Sequence, residues 1–115
     1  MVAKVLIVED EPVIALEIQS ILSGAGFAIA GCVASVDKAL AVLEHEECDA
    51  AVLDANLQGE SIEAVALVLY QRNTPFCFVS GYGRVYLPAP FQDAPLLSKP
   101  FAPDALVQAV SRLLA

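Results

Sequence analysis

The chain has 115 residues, enough for one domain that buries about two-thirds of the surface its unfolded form exposes, and it is 57% hydrophobic against 17% charged. That balance excludes a disordered chain; no apolar stretch reaches the roughly 18 residues that span a bilayer, and the run after Met1 lacks the basic region and cleavage site of a leader. A net charge of -8 with only six Lys and Arg excludes direct binding to nucleic acid or anionic lipid, so a soluble cytoplasmic protein acting through other proteins is expected.

Lys4 to Val8 is a continuous apolar run bounded by charge, the pattern of a strand buried on both faces, and it ends in Glu9 and Asp10. Pro12 stands at a helix start with Asp10 or Glu11 as cap, and Ile14, Leu16, Ile18, Ile21 and Leu22 supply its apolar stripe before Gly24 and Gly26 end it. Phe27 to Val33 reads as a second strand. Ser35 then caps a helix whose Val36, Leu40 and Leu43 recur at helical spacing. Ala50 to Leu53 is a third strand ending in Asp54, and Glu60 to Gln71 a third helix. Pro75 opens a fourth strand, Phe76 to Val79, which ends in Ser80.

From Gly81 to Pro95 the density of glycine and proline (Gly81, Gly83, Pro88, Pro90, Pro95) predicts a loop with at most one or two helical turns. Pro95 opens a short fifth strand, Leu96 to Ser98, which ends in Lys99, and Pro103 sits in the first turn of a last helix containing Leu106, Val110 and Leu113. Strict alternation of strand and helix predicts an α/β fold: a doubly wound, five-stranded parallel sheet with right-handed crossovers and helices on both faces, the helix between the last two strands being short or irregular. The three cysteines have no metal-ligand spacing, and Cys32 and Cys77, in strand-like runs, read as small buried hydrophobes in a reducing compartment. His45, within EHEE, reads as a solvated helix residue.

Parallel strands bring Glu9, Asp10, Asp54, Ser80 and Lys99 to one edge of the sheet, where open α/β sheets place their ligand sites. Taken singly, Glu9 and Asp10 could cap the first helix, Ser80 could be a turn residue and Lys99 a surface charge. Together, the concentrated carboxylates call for a cation or a proton. Carboxylate oxygens with a backbone carbonyl from the following turn suit Mg²⁺. Such an ion and the Lys99 ammonium would offset the charge of a phosphoryl group, the Ser80 hydroxyl would donate to one of its oxygens, and Asp54 would be free to act as nucleophile.

The runs VLIVEDEP, VLDANL, FVSG and SKPF make the chain resemble, over essentially residues 1–115, the receiver (CheY-like) domains of two-component response regulators, with a flavodoxin-like fold. The resemblance implies that Asp54 accepts a phosphoryl group from a phosphohistidine on a sensor histidine kinase or phosphotransfer protein. It also implies that Asp10, Asp54 and the backbone carbonyl of Asn56 hold Mg²⁺, with Glu9 acting largely through water. Ser80 and Lys99 would contact the phosphoryl oxygens, and the Lys99 to Pro100 bond would be cis. The domain would promote its own phosphorylation and dephosphorylation without being an enzyme in the ordinary sense, as a monomer or weak dimer. With no output domain visible between Met1 and Ala115, a single-domain regulator, phosphoryl relay or sink is expected; a docking module independent of phosphorylation and a receiver cut from a hybrid kinase are the alternatives.

Departures from the family pattern are equally readable. Leu96 stands where most receivers carry an aromatic residue in the fifth strand, which removes the usual coupling of that ring to the hydroxyl residue. Phe78 to Tyr82 resembles a subgroup with a Phe-x-Ser/Thr-Gly-Tyr pattern, linked to kinases of the HWE type, in which the segment after the fourth strand is weak. The segment Gly81 to Gln92 is therefore expected to rearrange on phosphorylation, with Gly81 and Gly83 as hinges. Gln58 replaces a common proline, with no assigned effect. Asn56 and Tyr82, two residues after Asp54 and Ser80, lie where side chains orient or exclude the water that hydrolyses an acyl phosphate. A phosphohydrolase of the haloacid-dehalogenase type would need a carboxylate at Asn56, and a dinucleotide-binding turn would need glycines where Glu9 and Asp10 stand.

Overall fold

A computed structural model describes residues 2–115. Five strands, β1 (Lys4–Val8), β2 (Ala28–Val33), β3 (Ala50–Asp54), β4 (Phe76–Ser80) and β5 (Leu96–Ser98), alternate with four helices, α1 (Pro12–Gly24), α2 (Val36–His45), α3 (Glu63–Gln71) and α4 (Pro103–Leu113). The strands form one parallel sheet in the order β2-β1-β3-β4-β5. The chain leaves β1 toward β2 on one side and returns to β3 on the other, so the topological switch point lies between the C-terminal ends of β1 and β3. Register sharpens this: Val8 pairs with Leu53, which sets Glu9 beside Asp54, and Asp54 pairs with Val79 and Ser80 with Ser98.

Each central strand sends alternate side chains to opposite faces. Leu6, Val8, Leu53 and Phe78 pack with Ala39, Leu43, Val65 and Leu69 under α2 and α3. Val5, Ile7, Val52 and Val79 pack with Ile18, Leu22, Leu106 and Val110 under α1 and α4. The continuous apolar runs of β1, β3 and β4 are thus explained by burial on both sides.

Several boundaries differ from the sequence expectation. Leu16 is 64% exposed rather than part of the α1 stripe, because it stands two residues, about 200° of helix, from Ile14, whereas Ile18, Ile21 and Leu22 follow the buried face. The N-cap position of α1 is Glu11, without a side-chain cap bond. The third helix begins at Glu63 and not Glu60: Gln58 (φ 46) and Gly59 (φ 87) make a tight turn closed by Glu60 N–H to Leu57 O at 2.9 Å, and Ser61 Oγ accepts from Glu63 N–H at 3.2 Å. Ser35 caps α2 as expected, its Oγ accepting from Lys38 N–H at 3.3 Å. Cys77 is buried, but Cys32 is only half-buried. Between β4 and β5 the one helical feature is a single 3-10 turn, Ala89–Phe91, in keeping with the proline and glycine count. Among the described residues no helix is long and apolar enough to cross a membrane.

Candidate functional site: a carboxylate cleft at the strand ends

The strand ends of β1 and β3 open into a cleft of about 560 Å³ whose wall includes Glu9, Asp10, Asp54, Asn56 and Lys99. Glu9 and Asp54 are 2% and 3% exposed, unusual burial for carboxylates and costly unless charge is compensated nearby. Lys99, delivered by the end of β5, supplies part of that compensation: its Nζ lies 2.8 Å from Glu9 Oε1 and 3.6 Å from Asp54 Oδ1. The peptide bond after it, Lys99 to Pro100, is cis, as expected. Asp54 Oδ1 also accepts from Asn56 N–H at 3.0 Å, and Glu9 Oε2 from Glu11 N–H at 3.1 Å. These local bonds fix both carboxylate planes through the turns that follow their strands.

The remaining imbalance is visible in the titration of the group. Burial, and then the Glu9 carboxylate beside it, push Asp54 from an ordinary 3.8 up to about 7, against the opposing pull of Asn56 N–H and the Lys99 ammonium. For Lys99, burial works against the charged form, but Glu9 and Asp54 outweigh it and raise the pKa above the usual lysine value. One ammonium therefore does not neutralise the cluster.

A cation fits the surplus. Carboxylate oxygens from Glu9, Asp10 and Asp54 lie within 4.8 Å of one another. Glu9 Oε1, although in ion contact with Lys99, is buried without a hydrogen-bond partner. An all-oxygen set of three carboxylates, open on the cleft side for water, suits a hard divalent ion of the size of Mg²⁺. Glu9 also pairs directly with Lys99.

The structure brings Glu9, Asp10, Asp54, Asn56 and Lys99 onto one cleft wall, and it ends β4 with Ser80, one residue beyond the Val79 that pairs with Asp54. Ser80 is 1% exposed and its Oγ accepts from Tyr82 N–H at 3.0 Å, while the following Gly81 and Tyr82 line the cleft. Gln58 also lines the cleft, placed by its left-handed turn. The Gln-Gly pair at 58–59 was the available sequence signal for that turn. Tyr82 is exposed and packs edge-on to Tyr86, with ring centroids 5.2 Å apart. Leu96 is half-buried against the α3-side core.

Residues 5–111 match the response regulator receiver domain family. The solution structure of SdrG from Sphingomonas melonis Fr1 is similar at a TM-score of 0.86 and 39% identity, covering 99% of this chain and 98% of that one. The solution structure of the BeF3-activated conformation of SdrG from Pseudomonas melonis Fr1 is similar at a TM-score of 0.82 and 39% identity, covering 97% and 96%. Phyllosphere-induced regulator PhyR of Methylorubrum extorquens is 27% identical over 122 residues, which take in 99% of this chain and 44% of PhyR, so the chain spans less than half the length of that relative. The chain belongs to the response regulator receiver domain family of two-component signalling.

Proposed function

We propose that this domain is a phosphorylation-controlled signalling receiver in which Asp54 takes a phosphoryl group from a phosphohistidine of a sensor histidine kinase or phosphotransfer protein. The observation that carries the proposal is the meeting of a buried Asp54, the Lys99 ammonium at 3.6 Å and a three-carboxylate cation set in one open cleft. Membership of the receiver family and the likeness to the BeF3-activated conformation of SdrG support it, because beryllofluoride stands in for a phosphoryl group.

Asn56 N–H and Lys99 both approach Asp54 Oδ1, which leaves Oδ2 as the nucleophile. In the transfer, Oδ2 forms a bond to phosphorus while the N–P bond of the donor breaks, and the electron pair returns to the imidazole nitrogen, which takes up a proton. Mg²⁺, held by Asp10, Asp54 and the Asn56 carbonyl with Glu9 alongside, would supply charge neutralisation for a loose transition state. Lys99 holds one transferred oxygen by its positive charge, and the Ser80 hydroxyl donates to another. Asn56 and Tyr82, on the cleft wall, bound the approach of water and so set the acyl phosphate lifetime. The output is protein binding or onward phosphoryl transfer, since an acidic chain does not hold nucleic acid.

Phosphoryl uptake from acetyl phosphate or phosphoramidate, read by intact mass with and without Mg²⁺, tests this. The expected result is a gain of one phosphoryl group that requires Mg²⁺ and is absent in Asp54→Asn. No gain from small donors or from a kinase's phosphohistidine would instead make the domain a docking module.

A further inference from the structure

The turn after β3 holds a residue that its backbone does not call for. Gln58 (φ 46) and Gly59 (φ 87) are both left-handed. The turn is fixed at each end: Leu57 is buried in the α3-side core and its carbonyl accepts from Glu60 N–H at 2.9 Å, while Glu60 Oε1 accepts from Val36 N–H at 3.3 Å. Two successive left-handed residues favour Asn, Asp or Gly at the first position, because Asn and Asp bond locally to the backbone and glycine has no Cβ to crowd the next carbonyl. A proline, its φ fixed at about −65°, cannot enter such a turn at all. Glutamine brings none of these local advantages. What it brings is reach: Gln58 is exposed at the mouth of the cleft in which Asp54 is buried, and its side of the wall is shared with Asn56.

Loss of a phosphoryl group from Asp54 requires a water oxygen in line with the P–Oδ2 bond, on the side of phosphorus away from the carboxylate and so toward the mouth. The water oxygen bonds to phosphorus as the P–Oδ2 bond breaks, the electron pair returns to the Asp54 carboxylate, and one proton of the water passes to a phosphoryl oxygen, giving inorganic phosphate. Glu9, Asp10 and Lys99 are engaged by the cation and the phosphoryl oxygens, and the Glu11 carboxylate on the same wall repels the transferred group. A carboxamide suits the water better. Its Oε1 accepts a hydrogen from the water and so fixes the direction of the lone pair, with no charge to repel the phosphoryl group and no proton gained or lost by the side chain.

We propose that Gln58 is a water-positioning residue that shortens the life of the acyl phosphate at Asp54. This rests on the functional reading above and concerns the hydrolysis of that same site. Because Gln58 is exposed and bulk water reaches phosphorus by other paths, the contribution to the hydrolysis rate is about tenfold, below the roughly hundredfold that misplacing a reactant costs in a closed site.

The test phosphorylates the parent, Gln58→Gly and Gln58→Asn with phosphoramidate and Mg²⁺, removes the donor by rapid desalting, and follows loss of the phosphoryl group by intact mass. Beryllofluoride affinity and the urea midpoint are measured on the same three proteins. Both substitutions suit the left-handed turn, so both variants are expected to fold with a midpoint at or above that of the parent. The expected half-life is about tenfold longer in Gln58→Gly and intermediate in Gln58→Asn, whose carboxamide stops one methylene short. The beryllofluoride complex involves no attacking water, so its affinity should not follow the half-life. A half-life in Gln58→Gly equal to the parent's overturns the proposal, and a shorter one would make Gln58 a shield against water and overturn it too. A longer half-life matched by an equal gain in beryllofluoride affinity would place the effect in the shape of the turn, which also overturns it. A parent that takes up no phosphoryl group, from phosphoramidate or from a kinase's phosphohistidine, sinks the functional reading and this inference together, whereas a parent that takes it up and loses it no faster than Gln58→Gly sinks this inference alone.

Discussion

Asp54 carries a cost that the fold bears for the sake of its cleft. Its carboxyl titrates near 7 in the native state against 3.8 ordinarily, so between those values the folded chain binds more protons than the unfolded one. Stability contributed at this site is therefore present at low pH and declines as pH rises from about 4 to about 7, the reverse of an ion-paired carboxylate. Asp54→Asn removes the penalty. It is expected to stabilise the metal-free protein at pH 8 by on the order of 2 kcal/mol, with the gain shrinking toward pH 4. Urea unfolding at the two pH values checks this, and an equal gain at both would show that charge is not the cause. Mg²⁺ should recover the same energy in another way, raising the Tm of the parent and leaving that of Asp54→Asn nearly unmoved.

Helix α2 shows how an element is tied to the site without touching it. Its first turn receives two side-chain acceptors from different parts of the chain: Ser35 Oγ takes Lys38 N–H, and Glu60 Oε1 takes Val36 N–H, both at 3.3 Å. Glu60 belongs to the Gln58–Gly59 turn that follows Asp54, so the loop after β3 is anchored to the start of α2, and a carboxylate at a helix N-terminus also meets the positive end of the helix dipole. Ser35→Ala is expected to cost about 1 kcal/mol and Glu60→Ala about 0.5 kcal/mol, as exposed caps do. Because they satisfy different amides, the double variant should lose roughly the sum, to within about 0.5 kcal/mol. A double-mutant cycle in urea reads this directly, and strong coupling would mean that the two caps are alternatives rather than partners.

On the scale of the whole molecule, what the sequence disclosed and what it hid divide along a physical line. Strands buried on both faces announce themselves as unbroken apolar runs, and parallel register brings their ends together, so Glu9, Asp10, Asp54 and Lys99 could be placed in one cleft. Periodicity failed in α1, which is apolar on nearly every side: Val13 and Leu16 face solvent although they look like core residues. The start of α3 was hidden by the turn at Gln58 and Gly59, whose left-handed residues come just before Glu60, where the helix had been expected to begin, and which delays it to Glu63. The reach of Arg84 to two distant carbonyls leaves no spacing signal, because such bonds depend on where loops close and not on which residues are neighbours.

The same layering predicts how the molecule unfolds. The sheet separates two apolar layers, one under α2 and α3 and one under α1 and α4, and every central strand contributes alternate residues to both. Melting either layer strips one face of the strands that the other layer needs, so the two are expected to unfold as one unit. Leu69→Ala on one side and Leu106→Ala on the other, both at fully buried positions, should each cost about 3 kcal/mol. Each should keep a single transition with coincident circular dichroism and tyrosine fluorescence, and a urea slope equal to that of the parent. Tyr70 on α3 stands edge-on to the buried Phe91, and Tyr82 and Tyr86 lie in the β4–β5 crossover that supplies Leu87 and Phe91 to that layer, so fluorescence reports that layer while dichroism reports both. A Leu69→Ala protein whose fluorescence changes at lower urea than its dichroism would show that the layer nearest the crossover can open by itself, and the fold would then consist of two units sharing a sheet.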